Sequence, residues 1–100
     1  MGEEKLKQYL KDVCPGRKNT RKSAQIERAL DISGNELRRL VSRLRRKGVP
    51  IGSNQEGYFY AITAGEIYAT IRQLQTMKKG LEAVIRGLES ALDECPTEGE

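Results

Sequence analysis

The segment from Ser33 to Lys47 constrains the fold more than any other part of the chain, because it predicts a well-delimited amphipathic helix. Ser33 is a suitable N-cap residue, and Glu36 three positions later completes the S-x-x-E capping box. Gly48 ends the predicted helix, and Pro50 prevents its continuation. An apolar stripe at helical spacing consists of Leu37, Leu40, Val41 and Leu44. The sequence therefore predicts that one face of this helix packs on a core.

The rest of the helix surface is strongly basic. It carries Arg38, Arg39, Arg43, Arg45, Arg46 and Lys47. Residues 14–52 hold eleven Lys or Arg against three acidic residues, whereas the whole chain has a net charge of only +4. Solvated helix faces usually mix both signs of charge, so this imbalance favours a polyanionic partner over a face that is merely solvated.

Length and composition indicate a single compact domain with a small core. The chain has 100 residues, of which 37% are hydrophobic and 32% charged. It contains no run of about 20 apolar residues and no apolar N-terminal stretch of the signal-peptide type. We therefore expect a cytoplasmic protein with no membrane partner.

The chain lacks the residues that most catalytic and metal sites require. It has no histidine, no glycine-rich phosphate loop and no G-x-S-x-G motif, so we expect no enzymatic activity. Cys14 and Cys95 are the two cysteines, and each precedes a proline, which is consistent with free thiols at helix ends. The sequence suggests no cofactor, no metal and no small-molecule ligand.

Two shorter helices are predicted before the basic one. The first extends from Glu3 to Val13, and the second is capped by Ser23 and extends from Ala24 to Leu30, with Ile26, Ala29 and Leu30 on its apolar face. A short turn through Ile32 then leads to Ser33, which is the arrangement of a helix-turn-helix. The basic loop 16–22 has two interpretations: a solvated connector, or a flexible segment that lies along phosphates.

A β-hairpin is predicted after the basic helix. Residues 49–52 and 58–62 are rich in strand formers, and residues 53–57 between them are turn formers. Alternation along the second strand places Tyr58 and Tyr60 on one face and Phe59 on the other. A hairpin directly after a recognition helix corresponds to the wing of a winged helix.

Residues 23–61 resemble the winged helix-turn-helix at the N-terminus of biotin-operon repressors and related bacterial regulators. The resemblance is carried by Ile26-x-x-Ala29-Leu30-x-Ile32-Ser33, by Leu37-x-x-x-Val41-x-x-Leu44-Arg45-x-x-Gly48-Val49-Pro50-Ile51 and by Gly57-Tyr58. It implies that the third helix enters the major groove of DNA. The positions implied to read bases are Gly34, Asn35, Arg38, Arg39 and Ser42. The chain departs from the family in the wing, which has no Lys or Arg and carries Glu56.

Phosphate contacts are expected from the remaining cations of the basic helix and from the loop before the second helix. These residues are Arg17, Lys18, Arg21, Lys22, Arg43, Arg45, Arg46 and Lys47. Arginine suits guanine and asparagine suits adenine, so Arg38, Arg39 and Asn35 are the strongest base-reading candidates.

A long C-terminal helix is predicted from the capping box Thr63-x-x-Glu66 to about residue 94, ahead of Pro96. A heptad seam runs along it through Ile67, Ile71, Leu74, Lys78, Leu81, Ile85, Leu88 and Leu92. Such a helix would be about 45 Å long, which is more than the domain can cover. Self-association through the apolar residues of this seam is therefore expected. The alternative is a helix folded back on the domain, with or without a break near Lys78-Lys79-Gly80.

These features predict a mainly α protein with a small β-hairpin. A winged helix-turn-helix would occupy residues 1–62, a long coiled-coil-like helix residues 63–95 and a frayed tail residues 96–100. The leading hypothesis is a homodimeric protein that binds double-stranded DNA, such as a small transcriptional regulator or a phage or replication-associated protein. Its site would be an inverted repeat with centres about 34 Å apart. The alternative is a protein–protein interaction module in a larger assembly.

Overall fold

A computed structural model describes residues 2–94 of the chain. The elements follow the order α1 (Gly2–Val13), a 3-10 turn (Arg17–Asn19), α2 (Ser23–Leu30), α3 (Gly34–Arg46), β1 (Ile51–Asn54), β2 (Gly57–Tyr60) and α4 (Ala64–Leu92). The predicted layout of a mainly helical chain with one antiparallel hairpin and a long C-terminal helix is confirmed. The chain forms two compact units, which divide between Thr70 and Ile71. The first unit therefore extends beyond residue 62, the predicted end of the N-terminal domain, and includes the start of α4.

The core of the first unit is built from α1, α2, α3 and the hairpin. Its buried side chains are Leu6, Leu10, Cys14, Ile26, Leu37, Leu40, Val41, Leu44, Ile51, Phe59 and Ala61. The predicted stripe of α3 is buried as expected, and Phe59 is buried while Tyr58 and Tyr60 are only partly covered. Ala29 is exposed, contrary to the prediction, whereas Ile26 is buried and Leu30 is partly buried.

Local side-chain hydrogen bonds fix where the helices begin. The backbone N–H of Glu36 donates to the Ser33 hydroxyl at 3.1 Å, which confirms Ser33 as the N-cap of α3. The cap of α2 differs from the prediction, since the helix begins at Ser23 itself and Lys22 is the N-cap. The Ser23 hydroxyl donates to the Glu27 carboxylate at 2.8 Å. It therefore bonds to a side chain one turn further along α2 and does not cap the backbone N–H groups at the start of the helix.

The segment between α1 and α2 is anchored to the hairpin by backbone hydrogen bonds, which neither interpretation of residues 16–22 included. The backbone N–H and carbonyl of Arg21 pair with those of Tyr58, each at 3.0 Å. Tyr60 makes a similar pair of bonds at 2.7 Å, donating to the Cys14 carbonyl and accepting from the Gly16 N–H. These bonds need no apolar side chain, and a hydrophobicity pattern therefore could not reveal them.

Gly57 is required by this pairing. A Cβ atom at this position would lie 1.9 Å from the Arg21 carbonyl oxygen, and the backbone has a φ of +142°. Only glycine combines the necessary clearance with this backbone conformation. Gly57, which contributed to the family resemblance, is thus required by a tertiary contact with Arg21.

The last element, α4, is one unbroken helix that passes through Gly80, so the alternative of a break there is wrong. It begins as predicted, with the backbone N–H of Glu66 donating to the Thr63 hydroxyl at 3.2 Å. Within residues 2–94, no helix combines the length and the apolar character needed to cross a membrane. The predictions for Cys95 and for the tail 96–100 lie outside the described residues.

Candidate nucleic-acid interface

The exposed face of α3 gathers the predicted base-reading residues. Four of the five, Asn35, Arg38, Arg39 and Ser42, lie on this face together with Arg46, a predicted phosphate contact. The four leucine and valine side chains on the opposite face are at most 3% exposed, so the orientation of the helix is fixed by the core. This surface, called the α3 front below, is partly or fully exposed along its length.

Two arginines of the α3 front contact polar neighbours on the same helix. The Arg38 guanidinium donates a hydrogen bond to the Asn35 side-chain carbonyl. Arg39 lies 3.9 Å from the Glu36 carboxylate, and both side chains are well exposed. Ion pairs as exposed as this contribute little stability, and a phosphate or base edge can therefore replace them at small cost.

Gly34, the fifth predicted base-reading residue, lies where α2 approaches the start of α3. A Cβ atom there would be 3.2 Å from a carboxylate oxygen of Glu27 and 3.6 Å from a guanidinium nitrogen of Arg38. Both neighbours are the ends of flexible side chains, so a methyl group at this position would require only a small shift of Glu27.

Two of the predicted phosphate-contacting residues are held by α1. The Glu3 carboxylate lies 2.5 Å from the Lys47 ammonium and 3.9 Å from the Arg43 guanidinium. The hydrogen bond from Lys47 lowers the pKa of Glu3 below its ordinary value, and the nearby charges of Lys47 and Arg43 act in the same direction. Glu3 therefore neutralises part of the positive charge at one edge of the α3 front.

Arg45 points away from the other cations of α3. Its Nε–H donates to the Ile51 carbonyl at 2.9 Å, and a terminal nitrogen donates to the Ser53 hydroxyl at 3.1 Å. Burial lowers the pKa of this guanidinium from its ordinary value. The side chain connects the end of α3 to the hairpin, and this arrangement favours a structural role over the predicted phosphate contact.

The other predicted phosphate contacts, Arg17, Lys18, Arg21 and Lys22, have exposed side chains on the anchored segment beside β2. The backbone N–H of Arg17 donates to the Glu66 carboxylate at 3.0 Å, and that of Ile62 donates to the same carboxylate at 2.8 Å. These two bonds lower the pKa of Glu66. The segment therefore supplies exposed cations directly beside a hairpin that has none between residues 51 and 60.

The hairpin tip is acidic and tightly turned. The Asn54 side-chain oxygen accepts hydrogen bonds from the backbone N–H groups of Glu56 at 2.8 Å and Gly57 at 3.2 Å. Gln55 and Glu56 are exposed at the turn. A negative charge at this position opposes contact between the tip and a phosphate backbone.

The predicted self-association residues lie on an exposed face of α4. Ile67, Ile71 and Leu74 are between 38% and 41% exposed, and Leu81, Ile85, Leu88 and Leu92 are between 49% and 70% exposed. Met77 and Val84, beside the seam, are 61% and 58% exposed. A continuous apolar face of this kind on a long helix is typical of an interaction surface.

Sequence reasoning missed Glu3 and the tertiary role of Glu66. Glu3 is separated by 44 positions from Lys47, and Glu66 by 49 from Arg17. No local spacing signals such pairs. No protein-family model, no curated protein and no solved structure matches the chain.

Proposed function

We propose that this protein binds double-stranded DNA as a homodimer, with the α3 front in the major groove, and that residues 23–61 form a winged helix-turn-helix. One observation carries the proposal: an apolar stripe held in the core fixes a helix whose opposite, exposed face presents Asn35 and three arginines. Within this scheme Asn35, Arg38 and Arg39 contact base edges. Arg43, Arg46, Lys47 and the exposed cations of residues 17–22 contact phosphates.

The α4 face provides the means of pairing two such units. A dimer with twofold symmetry binds a DNA site with matching symmetry, and the proposal therefore specifies an inverted repeat. The wing contributes less than in most winged helices, because its tip is acidic. Sequence discrimination is thus assigned to α3, with Arg45 holding the hairpin beside it.

Fluorescence anisotropy with labelled duplex DNA tests the proposal. If each complex neutralises about six phosphates, the logarithm of the association constant falls with the logarithm of salt concentration with a slope of about −5. A selection from randomised duplexes would supply the preferred sequence. A salt-independent response, or no binding at low salt, contradicts the proposal.

A pair of double variants separates the α3 front from general charge. Arg38→Ala/Arg39→Ala removes two base-reading candidates and is expected to abolish preference for the selected sequence. Arg72→Ala/Arg86→Ala removes the same charge from exposed positions on α4 and serves as the matched control. Equal losses in the two variants would show that α3 has no special role.

The acidic hairpin tip favours a second candidate, a protein–protein interaction module whose basic α3 front docks on an acidic partner surface. In that case the Arg38→Ala/Arg39→Ala variant keeps whatever DNA binding the parent has and loses capture of a protein partner. The same variant therefore distinguishes the two functions.

A further inference from the structure

We propose that α4 pairs antiparallel with α4 of a second copy, in a register that places Lys78 level with Leu81 of the second copy. The inference rests on the homodimer of the proposed function and adds its orientation and register. It starts from the apolar face of α4, where residues 77–92 of the seam and its flank leave large side chains about half to two-thirds exposed.

The heptad positions divide the surface of α4 into two unlike flanks. With Ile71 at position a and Leu74 at position d, the g positions are Met77, Val84 and Ala91, which are apolar. The e positions are Gln75, Glu82 and Glu89, which are polar or acidic. Two such helices bury most apolar surface when the g flank of one meets the g flank of the other, which requires antiparallel chains.

Lys78 supports the same orientation. In a parallel pair in register, Lys78 would face Lys78 of the second copy and lie beside Met77, so two like charges would meet in an apolar seam. In the antiparallel pair it lies level with Leu81 of the second copy, and Glu82 of that copy is on the same flank. The Lys78 ammonium can reach the Glu82 carboxylate of the second copy. Because the dimer has twofold symmetry, this ion pair forms at two equivalent places.

The register is self-complementary over the central part of the seam. It places Ile71 opposite Leu88 of the second copy, and Leu74 opposite Ile85. Every apolar residue at a heptad position a therefore packs against an apolar residue at position d. On the polar flank it brings Gln75 opposite Glu82 instead of setting acid against acid. A shift by one heptad in one direction would bring Lys78 to Gln75, which has no charge. A shift in the other direction would bring it to Glu89 but would set Glu82 against Glu82. This register therefore alone gives Lys78 an acidic partner without facing acid with acid on the polar flank.

Disulfide trapping tests the orientation. In a Cys95→Ser background, Ile71→Cys and Leu88→Cys chains are oxidised separately and as a refolded mixture in which one chain is tagged. In the antiparallel pair, two copies of the same residue are about 25 Å apart, too far for a disulfide. We expect no covalent dimer from either variant alone and a covalent heterodimer from the mixture. Cross-linking of each variant with itself overturns the inference.

A second measurement covers the case in which a cysteine in the seam weakens pairing. A spin label at Ser90→Cys, on the outer surface of α4, leaves the seam intact. The expected distance between labels is roughly 30 Å or more, whereas a parallel pair gives roughly 20 Å. Light scattering on the unmodified chain must give a dimer; a monomer or tetramer overturns the inference. DNA anisotropy on the same samples reports separately on the proposed DNA binding.

Discussion

The Nε–H of Arg45 donates a hydrogen bond to the Ile51 carbonyl at 2.9 Å, and this bond joins the end of α3 to the first residue of the hairpin. The same guanidinium reaches the Ser53 hydroxyl at 3.1 Å. Arg45 is therefore the one basic residue of α3 for which the structure describes hydrogen bonds to β1. Its planar fork matches two acceptors at once, which a lysine ammonium cannot do.

Arg45→Lys is expected to lower the free energy of unfolding by about 1–2 kcal/mol, because one or both hydrogen bonds to the hairpin are lost while the charge stays. Urea unfolding at fixed protein concentration measures the change. Arg46→Lys, one position further on the exposed face, is the control and should be nearly neutral. Equal stability of the two variants would contradict the structural role of Arg45.

Gly57→Ala is expected to be among the most destabilising single changes in the chain, by about 3 kcal/mol or more. The added Cβ would meet the Arg21 carbonyl oxygen at 1.9 Å, and the pairing between Arg21 and Tyr58 would have to open. Gly80→Ala is the matched control, since nothing lies within 4 Å of its Cβ position in α4. That change should stabilise the helix by about 1 kcal/mol. Thermal unfolding followed by circular dichroism separates the two outcomes.

Glu66 should make stability depend on pH. Its pKa in the folded chain is lowered from 4.5, chiefly by the backbone N–H of Arg17, so the ionised carboxylate stabilises the fold above about pH 4.5. This contribution is lost as pH falls through the lower, folded-state pKa. We expect Glu66→Gln to lower Tm at about pH 7, and the difference from the parent to shrink towards pH 3.

Circular dichroism melts between these two pH values provide the measurement for Glu66. Glu56→Gln, at the exposed hairpin tip, makes the same change in charge and serves as the control. A Tm difference between Glu66→Gln and the parent that stays constant with pH would show that the carboxylate charge is unimportant.

Glu3→Gln is expected to strengthen DNA binding about two- to fivefold at low salt, because Arg43 and Lys47 no longer have a competing carboxylate. The salt dependence should become steeper as well, since two more cations are available to phosphates. Glu4→Gln changes the neighbouring exposed side chain by the same charge and should leave affinity nearly unchanged. Unaltered binding by Glu3→Gln would place Arg43 and Lys47 away from the DNA.

The elements of the fold were predictable because their signals are local. The apolar stripe of α3 repeats every three or four residues, and Ser33 and Thr63 cap helices through residues three positions away. The hairpin was indicated by strand formers around a turn, but its strands are shifted from the predicted 49–52 and 58–62 to 51–54 and 57–60. The turn is shorter than predicted, and Asn54 accepts hydrogen bonds from its backbone N–H groups. The exposed positions of the candidate site followed from the same helical period.

The partners of the charged residues were decided only by the tertiary structure. Sequence alone assigned Arg43, Arg45 and Lys47 to the same phosphate-contacting group, whereas the fold gives Arg45 to the hairpin and the other two to Glu3. It also pairs Arg21 with Tyr58 and thereby fixes Gly57. Periodicity and capping depend on residues within one or two turns of one helix. Glu3, in contrast, is 44 positions from Lys47. The partners of Arg45 are only 6 and 8 positions away, but they lie in the strand that follows the helix. Only the path of the folded chain brings these residues together.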